Sequence, residues 1–434
     1  MRTLLLFLAL AVTYAAVSRV ELRGGRLSWT RPAVTTGDEP HYLMAANSLK
    51  FDHDLFLQDD YRKVREGGAG AGLGFRGNAL DHHTVLVDRA TGAHALWQDI
   101  YDWTSHVDCQ PPCVPFRRLK AGFEPRPSVV EVPAHPLGFP ATVALAGIAL
   151  RAGVEEMEPV GAGVTAGFCL VALAGLWLAA RRAGYSPWEA AAAVVLAGIA
   201  SPLLAYGRSF FSEPAAACAL ALALWALAAR RPLPCGIALG LAAAIKPVFL
   251  LTGLPWAWVA FREGRKRDAA FLLGAAALWA LAIVAFNLRL ARTPFVSGTQ
   301  GFVPAQGLES VGVLLFSNRH GLFTFAPWAI FVLLRIRTPW REPLVRETVF
   351  GMAPALLVTF AGEFSGGGIC YGPRYFVPFL PWLALVAVAC LRGARRWERA
   401  LLAGLTAISL VISAGGALRY RVMFDQPVAR MFQP

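Results

Sequence analysis

Residues 159–182 read PVGAGVTAGFCLVALAGLWLAARR. The first 22 of these positions hold no charged residue, and Arg181-Arg182 close the run. About 20 apolar residues in an α-helix cover the hydrocarbon core of a bilayer. The stretch therefore reads as a membrane-spanning helix whose basic end stays in the cytoplasm. The same grammar recurs near 187–206, 211–229, 233–245, 247–261, 268–287, 317–334, 347–362, 376–391 and 400–416. The whole chain agrees with its parts: of 434 residues, 56% are hydrophobic and 16% charged, against about 25% charged in an ordinary soluble protein. A soluble enzyme and a disordered chain are excluded. Glycine lacks the period of three that collagen needs, and Leu/Ala-rich runs are not the alternating ten-residue strands of a β-barrel.

Charge placement sets the topology. The net charge of +13 could suggest a nucleic-acid partner, but the basic residues sit in short clusters between apolar runs. These are Arg181-Arg182, Arg230-Arg231, Arg262 with Arg265-Lys266-Arg267, Arg335 with Arg337 and Arg341, and Arg392 with Arg395-Arg396 and Arg399. That is the positive-inside pattern, and no nucleic-acid partner is expected. Residues 3–17 follow Arg2 and form either a first span or a cleaved signal segment, with Ala16 and Ser18 as small residues before a cut; the uncleaved span is favoured. With Arg2 inside and 19–158 outside, every basic cluster falls inside. A full crossing at 136–150 would turn them all outward, so that stretch is read as interfacial or re-entrant. The expected fold is an all-α polytopic membrane protein with about eleven transmembrane helices. Its parts are a first helix (1–18), a long outer loop with short interfacial helices (19–158), a helical bundle (159–416) and a short outer tail (417–434).

Chemistry is expected in the outer loop, where fifteen of the 28 acids and six of the eight histidines lie between residues 19 and 133. Asp38-Glu39 open a helix expected over about 39–50, with Thr36-Gly37-Asp38 as its cap and Pro40 in the first turn. An ionised carboxylate there can serve as a general base, or can simply cap the helix. Asp52, Asp54, Asp59 and Asp60 form a second acidic group, and Asp52-His53-Asp54 or Asp81-His82-His83 offer metal-ligand types. Gly72-x-Gly74-x-x-Gly77 matches a dinucleotide fingerprint in letters, but no strand precedes it. Cys109 and Cys113 suit a disulfide if that loop is outside, whereas Cys169, Cys218, Cys235 and Cys390 read as buried small apolar residues. Lys246 sits between two apolar half-helices, and Arg208 and Arg374 sit in outer loops where the positive-inside rule does not place them. Intramembrane ionisable groups point to function. These three could bind an anionic head group, or pair with acids, Arg208 with Glu213 and Arg374 with Glu363. His135, in His135-Pro136, is a candidate head-group contact.

Taken in order, these pieces resemble the GT-C glycosyltransferases. The resemblance is to bacterial members like glycosyltransferase family 39, the protein O-mannosyltransferases and the aminoarabinose transferases of lipid A. Gly37-Asp38-Glu39-Pro40-His41-Tyr42 with Asp52-His53-Asp54-Leu55 resembles the acidic motif of the first outer loop. Ala134-His135-Pro136-Leu137-Gly138-Phe139-Pro140 is similar to the segment closing that loop. Ser201-Pro202 through Arg208 to Glu213, and Ala244-Ile245-Lys246-Pro247, resemble two further motifs. Ser317-Asn318-Arg319-His320-Gly321 and Tyr371-Gly372-Pro373-Arg374-Tyr375 match later segments of a related bacterial branch. His135 stands where aminoarabinose transferases carry Lys, and their large C-terminal soluble domain has no counterpart here.

The resemblance implies an enzyme of the bacterial cytoplasmic membrane that transfers a sugar, with inversion, at the outer face. The donor would be a polyprenyl-phosphate sugar, and the acceptor a hydroxyl on a lipid, glycan or protein. Asp38 would be the base, with Glu39 assisting. His135, Arg208, Lys246, Arg374, Tyr371 and Tyr375 would contact the substrate. No cofactor is required by the resemblance, and a divalent metal stays open. The competing readings are a carrier for a lipid-linked sugar, which would need the cations but not Asp38-Glu39, and a non-catalytic envelope-assembly protein.

Overall fold

The computed structural model describes residues 2–23, 26–30, 34, 37–61, 84–96, 127–292, 307–337, 340, 342–361, 370–420, 423 and 426–432. It divides into two compact units, one of residues 1–31, 165–279 and 301–434, the other of residues 32–164 and 280–300. In chain order the helices are α1 (Arg2–Val17), α2 (Glu39–Asn47), α3 (Gly138–Ala149), α4 (Met157–Arg182), α5 (Pro187–Gly198), α6 (Leu203–Tyr206), α7 (Glu213–Ala228), α8 (Pro232–Ile245), α9 (Gly253–Arg262), α10 (Lys266–Ala291), α11 (Gly307–Phe316), α12 (Leu322–Phe325), α13 (Ala329–Arg335), α14 (Pro343–Phe360), α15 (Leu380–Leu391) and α16 (Arg396–Leu418).

Among the described residues, Val154–Arg182, Lys266–Ala291, Pro343–Phe360, Arg374–Leu391 and Arg396–Leu418 are long and apolar enough to cross a membrane. Helices α1, α3, α5, α7 and α8 are shorter apolar helices. The architecture is that of a multi-pass helical membrane protein; the eleven-span count is a proposal about its topology. Two runs read as single spans are divided. The run 187–206 breaks between α5 and α6 at Ser201-Pro202, and 317–334 breaks between α12 and α13 at Ala326-Pro327. Proline removes a backbone donor and clashes with the preceding turn, so each helix stops and restarts.

The basic clusters of the larger unit meet at one end of its helices. Arg392, after α15, pairs with Glu189 of α5 at 3.0 Å and with Glu342, before α14, at 3.4 Å. Arg335 of α13 pairs with Glu398 of α16 at 2.9 Å. Burial and a hydrogen bond to Glu342 push the Tyr185 phenol up, so it remains a donor there. Helix α5 starts from a capping box: Ser186 Oγ accepts from the Glu189 amide and Glu189 accepts from the Ser186 amide, two otherwise orphaned donors satisfied at once. Arg230, beyond the last turn of α7, lines a cavity of about 300 Å³ with Glu342, Glu347 and Arg392 at this same end.

Elsewhere the bundle is held by close packing and by aromatic side chains that satisfy backbone carbonyls. Tyr14 donates to Gly198 at 2.9 Å, Trp328 to Ala200 at 2.7 Å, Trp256 to Glu347 at 2.6 Å and Trp382 to Leu220 at 3.1 Å. Such donors have no water to fall back on inside a membrane. Helix α15 is buried almost throughout. Gly416 of α16 gives way to the buried Tyr371 ring, whose Oη would clash with a Cβ at position 416. Gly416→Ala is therefore expected to cost about 1–3 kcal/mol by overpacking. The check is the thermal midpoint of detergent-solubilised protein, and an unchanged midpoint would contradict this packing.

The smaller unit contains structure that the sequence reading did not anticipate. Strand β3 (Thr84–Asp88) is flanked by β4 (His94–Leu96) and β5 (Val129–Pro133) in an antiparallel sheet; a separate hairpin, β1 (Val20–Arg23) with β2 (Arg26–Trp29), belongs to the larger unit. Val85 pairs with Val132 and Val87 with Val130. These side chains share one face, and they cluster with Ala134, Ala291, Phe56 and Leu290. The β3–β4 turn follows from its sequence: Asp88 accepts from the Ala90 amide and the Thr91 hydroxyl, and Gly92 takes φ +76. Short polar side chains and a left-handed glycine are what tight turns need. Strand β5 then delivers Ala134-His135-Pro136 to the start of α3. Helix α3 packs on α2 through Tyr42 and Phe139, whose rings meet edge-on at 5.5 Å.

Candidate active site

The first cluster lies in the smaller unit. Asp38 sits at the N-cap position of α2, but with helical φ/ψ and no side-chain capping bond. Its carboxylate is 3.7 Å from His135 Nε2, both side chains about one-sixth exposed. The His135 ring stands 4.9 Å from Tyr42 and 6.1 Å from His41. His41 Nδ1 in turn lies 2.6 Å from the Tyr61 hydroxyl. Glu39 is buried in the first turn of α2. Beyond Asn47 the expected helix continues as a π-turn over Ser48–Asp52 and stops at His53, φ +61. The segment thus presents a partly exposed carboxylate beside an imidazole. That arrangement suits proton transfer.

The second acidic group separates in space. Asp54 accepts from Ser48 Oγ and from the Phe56 amide, so it organises its own turn. Asp52, Asp59 and Asp60 place carboxylate oxygens within 4.8 Å of one another. Three carboxylates of this kind suit a hard divalent cation. Asp81, His82, His83, Cys109, Cys113, Glu363 and the glycines 72–77 lie outside the described residues.

The second cluster belongs to the larger unit and gathers three interruptions of its apolar helices. Lys246 precedes Pro247 and is held extended (φ −147, ψ 111) between α8 and the 3₁₀ turn Pro247–Thr252, as a pre-proline residue should be. Arg374 opens the 3₁₀ segment Arg374–Phe379 just after Gly372-Pro373. Glu213 opens α7, where the helix dipole favours an acid. Its carboxylate is fully buried, and a single oxygen, Oε1, accepts from Lys246 Nζ at 2.5 Å and from Arg374 Nε at 2.6 Å. The partner Oε2 has no hydrogen bond among the described residues. Arg374 also lies over the Phe211 ring at 4.5 Å, and Lys246 over Tyr375 at 5.4 Å. The 16 residues of α7 span about 24 Å, so this cluster lies far from the basic, Arg230 end of the same helix.

Of the remaining sequence candidates, Arg208 and Tyr371 fall apart from these clusters and Tyr375 joins the second. Arg208 is buried, donating through Nη1 to the Val20 and Ala417 carbonyls at 3.1 and 2.7 Å and through Nη2 to Glu21 at 2.8 Å. Glu213, the acid expected for Arg208, is not its partner: Arg208 pairs with Glu21, and Glu213 pairs with Arg374. Tyr371 is fully buried against Phe325, Tyr206 and Tyr420, and Tyr375 is half-buried beside Lys246.

No protein family and no curated protein matches this sequence. Among solved structures the chain is similar to ArnT from Cupriavidus metallidurans bound to undecaprenyl phosphate, with a TM-score of 0.53 and 13% identity over 99% of this chain and 75% of that one. The apo state of ArnT gives a TM-score of 0.50 at 13% identity, over 99% of this chain and 73% of that one. The chain has the GT-C fold.

Within this fold, sequence reasoning missed Glu213 as the shared acceptor of Lys246 and Arg374, Glu21 as a partner of Arg208, and the His41–Tyr61 pair. Glu213 did carry a signal, an acid followed by proline at the head of an apolar run, where an ionisable group is costly unless paired. Glu21 and Tyr61 carried none, because their partners are distant in the chain.

Proposed function

We propose that this chain is a glycosyltransferase that moves a sugar from a polyprenyl-phosphate donor to an acceptor hydroxyl at the outer face of a bacterial cytoplasmic membrane. The single observation behind this reading is the cationic pair Lys246 and Arg374, held together at broken helices inside a GT-C fold. A lipid phosphate is the anion a membrane presents, and ArnT was captured with one. Asp38, part-exposed beside His135, takes the acceptor proton. The acceptor oxygen bonds to the anomeric carbon as the carbon–oxygen bond to phosphate breaks. The electron pair leaves with the phosphate, so the lipid product carries one more negative charge than the donor. Glu39 supports the placement of Asp38, and Lys246 with Arg374 stabilise the growing charge. Inversion at the sugar follows from a single displacement.

The test feeds labelled polyprenyl-phosphate sugars to membranes from an expressing strain and its deletion, and follows products by mass spectrometry. A new glycosylated product that depends on the protein is expected. Absence of transfer with every donor, from membranes in which the protein still binds lipid phosphate, would shift the reading to a carrier or assembly role.

A further inference from the structure

Glu213 is an odd partner for two cations. A carboxylate whose task is to neutralise an arginine usually engages it through two oxygens and two nitrogens. Here one oxygen receives both Lys246 and Arg374, and the other oxygen, equally buried, has no hydrogen bond among the described residues. One oxygen bridging an ammonium and a guanidinium is the arrangement a phosphoryl oxygen would adopt at the same place. The two cations also differ. Arg374 is almost wholly buried, while Lys246 is one-fifth exposed and sits on an extended backbone between two helical segments. Lys246 is the member placed to exchange partners. Among the described residues the cluster counts two positive side chains and one negative, a net charge of +1. That balances a phosphodiester donor, with one charge, but not the phosphomonoester product, with up to two.

We propose that Glu213 is a built-in competitor of the lipid phosphate. It holds Lys246 in the resting protein, yields it to the phosphate as the leaving group gains charge, and reclaims it to expel the polyprenyl-phosphate product. The contact from Lys246 to phosphate is then strongest when the leaving charge has formed, the kind of interaction that raises kcat rather than substrate affinity. Glu213 touches neither sugar nor acceptor in this scheme; it is a positioning residue that acts through Lys246. The inference rests on the transferase reading.

The experiment titrates undecaprenyl phosphate into the detergent-solubilised full-length protein and its variants, and follows donor kinetics in parallel. Glu213→Gln, which keeps the shape and removes the competing charge, is expected to bind undecaprenyl phosphate about tenfold more tightly, an ordinary step for one charge-assisted contact. Its kcat and KM for the donor should fall together as product release slows. Lys246→Met should lose binding, since Arg374 is then neutralised by Glu213. Glu213→Gln with Lys246→Met should regain most of it, because the net charge returns to +1. If Glu213→Gln leaves too many buried cations to accumulate, the comparison of the double variant with Lys246→Met decides. Wild type that fails to bind undecaprenyl phosphate overturns the transferase reading and this proposal together. Wild type that binds, with Glu213→Gln binding equally or more weakly, or with no recovery in the double variant, overturns the role of Glu213 alone.

Discussion

Asp38→Asn lowers the transfer rate by about 10²–10⁴-fold, the range that a positioned general base contributes, with undecaprenyl-phosphate binding and thermal midpoint unchanged. The substitution keeps the shape of the side chain. Asparagine matches aspartate as a helix cap, and the Asp38 side chain makes no capping bond to lose. What disappears is the carboxylate charge and the oxygen facing His135 at 3.7 Å. A capping or dipole role alone predicts a small loss of stability and intact catalysis. A basic role predicts the reverse. Intact transfer by Asp38→Asn removes Asp38 from the mechanism, and a parallel fall in lipid binding assigns it to the fold. Glu39→Gln is the companion variant. Glu39 is buried at the same turn, so its change should reach stability as well as rate, separating the two neighbouring acids.

The larger features of this molecule were legible because they follow from transfer between water and lipid. Runs of 20 apolar residues ending in arginines can do little but span, and the clusters they left at one side are the ones that meet through Arg392, Glu189, Glu342, Arg335 and Glu398. Lys246 was legible for the same reason. A lysine before proline in apolar surroundings must sit at a helix break and must be compensated. The identity of its compensator was not legible. Glu213 lies 33 residues from Lys246 and 161 from Arg374, and Glu21 lies 187 from Arg208. Proximity in sequence suggested Glu213 for Arg208, five positions away, and tertiary packing chose otherwise. The sheet in the smaller unit escaped for a different reason. Five-residue runs such as Thr84–Asp88 and Val129–Pro133 are too short for their periodicity to separate a strand from a loop, and their pairing joins segments 40 residues apart.

Arg208→Met is expected to destabilise the protein by about 3–5 kcal/mol, enough to remove most of the monodisperse fraction, because it takes the guanidinium away from the buried Glu21 carboxylate. The guanidinium serves three acceptors from two places in the chain. Glu21 and Val20 lie on β1, Ala417 lies in the last turn of α16, and Arg208 itself follows α6. Lysine, a point charge without the planar fork, should restore little of this. Pairing Arg208→Met with Glu21→Gln should restore most of it, since removing both charges also removes both desolvation costs, leaving the Val20 and Ala417 carbonyls as the residual loss. That double variant then separates the two roles the sequence allowed for Arg208. If its guanidinium ties β1 to α16, the recovered protein binds undecaprenyl phosphate as wild type does, in contrast to Lys246→Met. If Arg208 holds the lipid phosphate directly, stability returns but binding stays lost. The geometry favours the first outcome: Arg208 spends donors on Glu21 and on two carbonyls, whereas Lys246 and Arg374 converge on one exchangeable oxygen.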